Sequence, residues 1–206
     1  MKEPAHNDLT AQYKKHAVSK LSGQWQVVPK TPLDFSFKEI NAVGDIATEE
    51  SRRRHELPLG TGVTAVTTAI RLPNNKIESL DNLFSISMRI VENPLNIAWI
   101  DLSFNNLKVI DKELLQFPTL STLYLHANEI SALPEIDKLT ALTRLRTLTL
   151  HGNPVENCKG YRQYTVSRLS SLKHLDFCAI TKQDKAIAKA YLDFIQRKGE
   201  KSGDNE

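Results

Sequence analysis

Cysteine is scarce in this sequence, since its 206 residues include only Cys158 and Cys178 and no CxxC pair. A disulfide-rich secreted scaffold and a zinc site built from cysteine pairs are therefore excluded. The sequence also lacks an apolar run near Met1 that resembles a signal peptide, and no window approaches the ~20 apolar residues of a membrane span. These absences predict a protein of the reducing cytoplasm with no membrane partner.

Blocks of like charge are also absent. The 27 Lys and Arg residues nearly balance the 24 Asp and Glu residues, and the two signs are mixed along the chain. Residues 61–180 contain 12 basic and 11 acidic residues, so this part has no basic stripe that could hold a phosphate backbone. The sequence therefore predicts no nucleic-acid partner.

Sequence motifs of catalysis and cofactor binding are missing as well. The chain has no phosphate-binding loop, no GxGxxG and no HExxH. We therefore expect a protein that is not an enzyme, has no cofactor and takes no small-molecule substrate.

What the sequence does contain is an internal repeat. Four segments share apolar positions at the same spacing, followed by an asparagine and a further apolar residue. They are "TTAIRLPNNKI" (67–77), "IAWIDLSFNNL" (97–107), "LSTLYLHANEI" (120–130) and "LRTLTLHGNPV" (145–155). The shared residue is Asn75, Asn105, Asn128 and Asn153. Such spacing is typical of the coils of a solenoid.

The pattern predicts a fold of the α/β class. Each unit contains a short strand whose apolar residues point inward, and one coil alone cannot bury them, so neighbouring coils must stack with parallel strands. The asparagine has both a carbonyl and an amide for the turning backbone, which indicates a structural role. We expect a solenoid with short parallel strands on its concave face and helices or turns on its convex face.

The segments between the strands predict the convex elements. Residues 81–94 have helical spacing, with Asp81 at the N-cap and Pro94 past the end, and 111–120 and 135–145 are shorter versions. "LKHLDF" (172–177) predicts a last strand that lacks the asparagine. Thr181 and Asp184 then form a capping box. The helix that follows carries one apolar face, made of Ile187, Tyr191, Phe194 and Ile195.

Three regions are predicted along the chain. Residues 1–60 show no sustained period and form an extended arm that is largely disordered or ordered by a partner, 61–180 form about five repeats including the cap, and 181–206 form the C-terminal helix and a short tail. Within the arm, Leu33, Phe35 and Phe37 alternate. This alternation fits a short strand or a protein-docking peptide, and equally an accidental cluster.

The strand positions between the apolar residues predict a concave protein-binding face. Its members are Trp99, Asp101, Ser103, Thr122, Tyr124, His126, Thr147, Thr149, His151, His174 and Asp176. Large aromatic residues such as Trp99 and Tyr124, with small hydroxylic neighbours, are typical of a binding hot spot. The alternative is that the two rings pack on each other or on the N-terminal arm.

Histidine and cysteine residues raise the question of a metal site. The repeat register puts His126, His151 and Cys178 in one column of adjacent strands, and strands lie about 4.8 Å apart. Three such side chains could hold zinc, but the spacing shows no fourth ligand. Cys158 lies outside the column, and a shallow face offers no pocket for a Cys/His nucleophile. We therefore expect no metal and no catalytic residue.

The same segments carry a family resemblance. "HGNPVENCKGYRQYTVSRLSSLKHLDF" is similar to the C-terminal cap of leucine-rich repeat proteins of the phosphatase-regulator type. With "PLDFSFKEI", "NIAWIDLSFNNL" and "LYLHANEI", the chain resembles the leucine-rich repeat-containing protein 51 family over roughly residues 31–184. The resemblance implies a scaffold in the cytoplasm and the axoneme of cilia or flagella, with axonemal or cytoskeletal protein partners. The alternative is a soluble cytoplasmic or nuclear adaptor of the phosphatase-regulator or splicing type.

Overall fold

The computed structural model describes residues 31–47 and 65–203, with the backbone alone for 196–203. Seven short strands form one sheet in chain order, parallel except for the last pair. They are β1 (Leu33–Asp34), β2 (Ala69–Arg71), β3 (Trp99–Asp101), β4 (Thr122–Tyr124), β5 (Thr147–Thr149), β6 (His174–Leu175) and β7 (Cys178–Ala179). The predicted solenoid and its parallel strands are confirmed.

The convex side is built mainly from 3-10 helices. They span Val43–Ala47, Pro94–Asn96, Lys112–Gln116, Leu133–Ala141 and Pro154–Asn157. The α-helices are α1 (Leu83–Ile90), α2 (Tyr161–Arg168) and α3 (Lys182–Gly203). Short tight helices suit this side because each has only a few residues to return the chain to the next strand. Among the described residues, no helix combines the length and apolar character that a bilayer crossing requires.

The start of α1 differs from the prediction. Asp81 was expected at the N-cap, but the N-cap is Asn82, which has φ 65° and makes no side-chain cap hydrogen bond. Glu113 of the next coil supplies the missing acceptor, because its carboxylate accepts a hydrogen bond of 3.2 Å from the Phe84 N–H. The free N–H groups at a helix start need an acceptor, and here it comes from a neighbouring coil.

The apolar columns of the repeat form one continuous core. Ile100, Leu123 and Leu148 are aligned by the strand register and are fully buried. The second inward position of each strand segment is buried equally well, at Leu72, Leu102, Leu125 and Leu150. Each coil therefore shields the apolar residues of its neighbours, as expected for a stacked solenoid.

The repeated asparagines form a ladder along the turns. The Asn105 amide donates to the carbonyl of Leu72 in the preceding coil at 2.9 Å and to that of Leu102 in its own coil at 3.0 Å. Its carbonyl accepts from the Ile77 N–H at 3.1 Å. Asn128 and Asn153 repeat this arrangement one and two coils further on. The predicted structural role of the asparagine is confirmed.

Residues 31–47 belong to the repeat sheet and not to an arm. Leu33 of β1 pairs with Ile70, and the Phe35 N–H donates to the Arg71 carbonyl at 2.8 Å. This first coil has Lys38 at the ladder position, which hid it from the repeat pattern. Asn75 of the second coil accepts from the Lys38 N–H and so completes the turn. The rest of the predicted arm, 1–30 and 48–60, lies outside the described residues.

The C-terminal end closes with a hairpin and a docked helix. The predicted capping box of α3 is confirmed, since the Thr181 N–H donates to the Asp184 carboxylate at 2.8 Å and the Asp184 N–H donates to the Thr181 hydroxyl at 3.0 Å. The predicted apolar face of this helix is only in part its packing face. Ala188 is buried, because its small side chain lets the helix approach the last coil closely. Tyr191 lies directly over Gly160, which has no side chain to hold the ring away. Ile187, Phe194 and Ile195 are exposed.

Candidate protein-binding face

Trp99 and Tyr124 meet on the concave face of the sheet. The register pairs Asp101 with Tyr124 and places Trp99 diagonally across from Tyr124, within reach of a large ring. The two rings are edge to face, with centroids 5.8 Å apart and planes at 71°. Aromatic pairs favour this edge-to-face geometry, which holds both side chains in defined orientations. The predicted alternative that the two rings pack on each other is thus partly realised, yet both remain half-buried.

These two rings belong to a larger group, here called the aromatic cluster. Its members are Trp99, Phe104, Tyr124, His126, His151 and Phe177. Tyr124 connects Trp99 to the rest of the cluster, with centroid distances of 6.0 Å to His126 and 5.5 Å to Phe177. Phe104 reaches His126 at 5.3 Å from the turn after β3. The cluster joins positions from four successive coils into one surface.

A stacked pair of histidines forms the middle of the cluster. The His126 and His151 rings are 4.7 Å apart and nearly parallel, with planes 7° apart. His126 Nδ1 is 2.8 Å from the Thr149 hydroxyl, and His151 Nδ1 is 3.4 Å from an Asp176 oxygen. Burial, and after it the neighbouring His151, lowers the pKa of His126, against the opposing effect of nearby carboxylates. The neutral form of His126 is therefore favoured near pH 7.

Phe177 and Phe104 are the members that sequence reasoning missed. The strand pattern puts Phe177 at an inward position of 172–177, but Asp176 and Phe177 have φ of 52° and 60° and reverse the chain. The Phe177 ring is consequently exposed and reaches back over Tyr124, His126 and His151. The absence of the ladder asparagine in this coil was the one available signal.

The same reversal removes Cys178 from the expected column. β6 and β7 form an antiparallel hairpin in which Leu175 pairs with Cys178, so the cysteine does not follow His126 and His151 along the sheet. The three side chains considered for zinc are thus not aligned. In the described part of the chain, no group of three or more His, Cys, Asp and Glu side chains is arranged to hold a metal ion.

Asp176 closes the open end of the sheet. One carboxylate oxygen accepts from the N–H groups of Leu150 and His151, at 2.7 and 2.9 Å. The other accepts from the Tyr161 hydroxyl at 2.8 Å. Burial first, and the negative charge of Asp176 second, raise the pKa of Tyr161. The Asp176 carboxylate therefore supplies these N–H groups with the acceptor that the backbone of a further coil would otherwise supply.

Two other predicted face residues are largely covered. Asp101 is 5% exposed and accepts from the Ser103 hydroxyl at 2.6 Å, while Thr149 is 0% exposed beneath His126. Their positions on the concave strands are as predicted, but neither offers a side chain to a partner without rearrangement. His174 of β6 is exposed and lies outside the aromatic cluster.

A guanidinium borders the cluster on its N-terminal side. Arg71 Nη1 is 2.9 Å from Asp34 Oδ2, and its Nε is 3.6 Å from Asp101 Oδ2. The guanidinium lies 5.7 Å from the centroid of the Trp99 ring, within the range of a cation–π contact. Three neighbouring strands thereby fix the position of the tryptophan.

The residues predicted as the binding part of the arm have different roles. Leu33 and Phe35 are 5% and 2% exposed in the core of the first coil, so the prediction that they contact a partner is wrong. A hydrophobic side chain that fills the core is not available for docking. Phe37 is exposed, at a turn position with φ 56°.

Comparison with known proteins agrees with this architecture. A family model described as leucine-rich repeat matches residues 57–203. The human protein named leucine-rich repeat-containing protein 51 is 43% identical over 165 residues, covering 80% of this chain and 86% of the relative. The mouse protein of that name is 42% identical over 169 residues, with the same shares covered. The chain belongs to the leucine-rich repeat-containing protein 51 family.

More distant similarity extends beyond this family. U2 small nuclear ribonucleoprotein A' of Aspergillus fumigatus is 32% identical over 160 residues, covering 76% of this chain and 59% of the relative. A chain in the crystal structure of the Drosophila melanogaster SNF/U2A' complex has a TM-score of 0.52 at 24% identity, over 64% of this chain and 76% of that chain. The structural match supports the leucine-rich repeat fold. Proteins with such repeats are generally non-catalytic interaction modules, and this chain has their architecture.

Proposed function

We propose that this protein is a non-catalytic scaffold that binds another protein through the aromatic cluster on its concave face. The observation that carries the proposal is the contact of Trp99 with Tyr124 in a half-buried surface that four coils hold in place. Aromatic anchors in a rigid setting lose little conformational entropy on binding, so more of their contact energy becomes affinity.

Trp99 offers a second reason for a partner. Its indole Nε1 is buried and has no hydrogen-bond acceptor among the described residues. A buried donor without an acceptor costs about 1–3 kcal/mol. After a small rotation of the ring, a carbonyl group of a bound partner would accept a hydrogen bond from the Trp99 Nε1–H and remove this cost. The unpaired donor of the free protein therefore favours binding.

We further propose that the partners are axonemal or cytoskeletal proteins and that the chain works in the cytoplasm and the axoneme of cilia or flagella. The support for this setting is the family resemblance. A second candidate is a soluble cytoplasmic or nuclear adaptor, and the 32% identity to U2 small nuclear ribonucleoprotein A' favours it. The two candidates share the face and differ in the partner.

The experiment compares Trp99→Ala and Tyr124→Ala with Val109→Ala, which removes an exposed apolar side chain outside the cluster. Tagged chains are expressed in flagellated cells, and proximity labelling and retention on salt-washed axonemes are measured. Hot-spot truncation costs about 2 kcal/mol or more, so each cluster variant should weaken capture about thirtyfold and the control should not.

The possible results separate the two candidates. Retention of the unmodified protein with labelled axonemal neighbours supports the axonemal setting. Release with detergent and labelling of soluble or nuclear proteins supports the adaptor. If both cluster variants capture every partner as well as the unmodified chain does, the concave-face proposal is wrong. A thermal melt of each variant shows whether it is folded.

A further inference from the structure

We propose that the aromatic cluster takes a partner segment that is apolar and cationic, and that it binds this segment while His126 is neutral, so that acidification releases it. This inference rests on the proposed function and assigns the partner's chemistry and the regulation of the same face.

The fixed charges of the face carry the first step. In the described part of the chain, the carboxylates of Asp34, Asp101 and Asp176 border the cluster, beside the guanidinium of Arg71. The guanidinium already lies against two of these carboxylates and over the Trp99 ring. A partner carboxylate would meet like charge at Asp101 and Asp176 and, at Arg71, a guanidinium that carboxylates already hold, whereas a lysine or arginine would be attracted.

The rings determine the apolar part. Phe104 and Phe177 are about half exposed or more, with 51% and 60% of their surface open, and both lie against His126. Exposed phenylalanine rings against the His126 ring form a surface that is covered most favourably by apolar groups. The segment that fits therefore has an apolar side that faces the cluster and cations near its margin.

The histidine pair makes such binding depend on pH. Its rings are 4.7 Å apart, so a proton on one disfavours a proton on the other. Burial already lowers the pKa of His126, and a cationic partner that excludes water shifts the balance further toward the neutral form. The complex thus binds fewer protons than the free protein, and affinity falls as pH falls.

The other charged groups around the pair do not reverse this sign. Asp101 of β3 and Asp176 after β6 favour protonation, but both are already engaged in short hydrogen bonds. Glu156 of the 3-10 helix at Pro154–Asn157 accepts from the Gly152 N–H and is thereby held at the turn. Two tyrosines also lie beside these groups in the described part of the chain, Tyr124 of β4 with its ring 6.0 Å from that of His126, and Tyr161 of α2, which donates to Asp176.

The magnitude follows from ordinary imidazole titration. An imidazole with a pKa of about 6.5 is roughly nine-tenths protonated at about pH 5.5, so a complex that excludes its proton loses about tenfold in affinity there. Because the pKa of His126 is lowered, the loss of affinity on acidification is smaller than this tenfold factor. We expect a loss of about three- to tenfold between about pH 7.5 and pH 5.5.

The test uses two synthetic amphipathic peptides with the same leucine pattern, one with lysines and one with glutamates at the polar positions. Binding to the full chain is measured by fluorescence polarisation at both pH values and constant salt. The lysine peptide should bind at least tenfold more tightly than the glutamate peptide, and more tightly at the higher pH.

The paired variant His126→Asn with His151→Asn separates the pair from general charge effects, because the asparagine amide occupies the place of Nδ1 and does not titrate in this range. It should remove the pH dependence, whereas His174→Asn, which changes an exposed histidine outside the cluster, should retain it. Far-ultraviolet circular dichroism at both pH values verifies that each chain is folded.

Several results would overturn the inference. They are equal or tighter binding of the glutamate peptide, affinity that is flat or rises on acidification, unchanged pH dependence in the paired variant, or no binding of either peptide at about 1 mM. None of these decides the proposed function, which depends on whether Trp99→Ala and Tyr124→Ala lose their cellular partners.

Discussion

Replacing Asn153 by alanine tests the asparagine ladder that holds the coils in register. Asn153 is 2% exposed, and its amide donates to the carbonyls of Leu125 and Leu150, both at 2.9 Å. Its own carbonyl accepts from the Ile130 N–H at 2.9 Å. The substitution therefore leaves the buried Ile130 N–H without its acceptor, while the Leu125 carbonyl keeps the Asn128 amide and the Leu150 carbonyl keeps the backbone N–H of residue 153.

The expected loss follows from three lost hydrogen bonds, one of which leaves a buried donor unpaired. A hydrogen bond contributes about 0.5–1.5 kcal/mol net, and a buried group left unpaired costs about 1–3 kcal/mol. The unpaired Ile130 N–H contributes most to this loss, because a backbone N–H donates only one hydrogen bond. A carbonyl oxygen can accept two and tolerates the loss of one. We expect Asn153→Ala to lower the free energy of unfolding by about 3–5 kcal/mol, a large share of the usual 5–15 kcal/mol.

Urea denaturation followed by circular dichroism measures this loss. Asn157→Ala is the matched control, because Asn157 is exposed in the same coil and should change stability by less than about 0.5 kcal/mol. A loss below about 1 kcal/mol for Asn153→Ala, or one equal to that of the control, would refute the reasoning that the ladder stabilises the solenoid.

Two further predictions concern the C-terminal end. A Cβ atom at Gly160, where φ is 82°, would lie 2.6 Å from the Tyr191 hydroxyl oxygen. Gly160→Ala should therefore loosen α3, cost about 1–3 kcal/mol and speed proteolysis of α3, while Gly44→Ala, which has open space around it, should do neither. Tyr161→Phe removes a hydrogen bond to Asp176 and should cost about 1.5–3 kcal/mol near pH 7. Because burial raises the pKa of Tyr161 in the folded state, its stabilisation is complete below the unfolded pKa of about 10 and falls as pH rises above it. Urea titrations between about pH 9 and 11 should show that fall in the unmodified chain and less of it in Tyr161→Phe, and identical slopes would contradict this account.

Regular features of the fold were predictable from the sequence because they repeat. The inward columns and the ladder use the same residue types at the same spacing in four coils. Four such matches at one spacing do not arise by chance. The capping box at Thr181 was also readable, since both partners lie within one turn of the chain. Local and periodic signals thus sufficed for the solenoid and for the positions of Trp99 and Tyr124.

Features at the ends of the solenoid were not predictable in the same way. Glu113 caps α1 from another coil, and such a contact depends on tertiary geometry. Phe177 lies at an inward position of the pattern, but the reversal at Asp176 turns it outward. Lys38 replaced the ladder asparagine in the first coil, which concealed the burial of Phe35. Terminal coils must close a core, and that need overrides the repeat.

Site-specific photo-crosslinking tests most directly whether the concave face is the binding surface. A benzophenone side chain replaces Thr122, which lies on β4 in register with Trp99, and a second chain carries it at Lys112 on the convex side. After irradiation in cells, the proposal predicts a discrete protein adduct from the first chain and none from the second. Adducts from the convex position alone would contradict it.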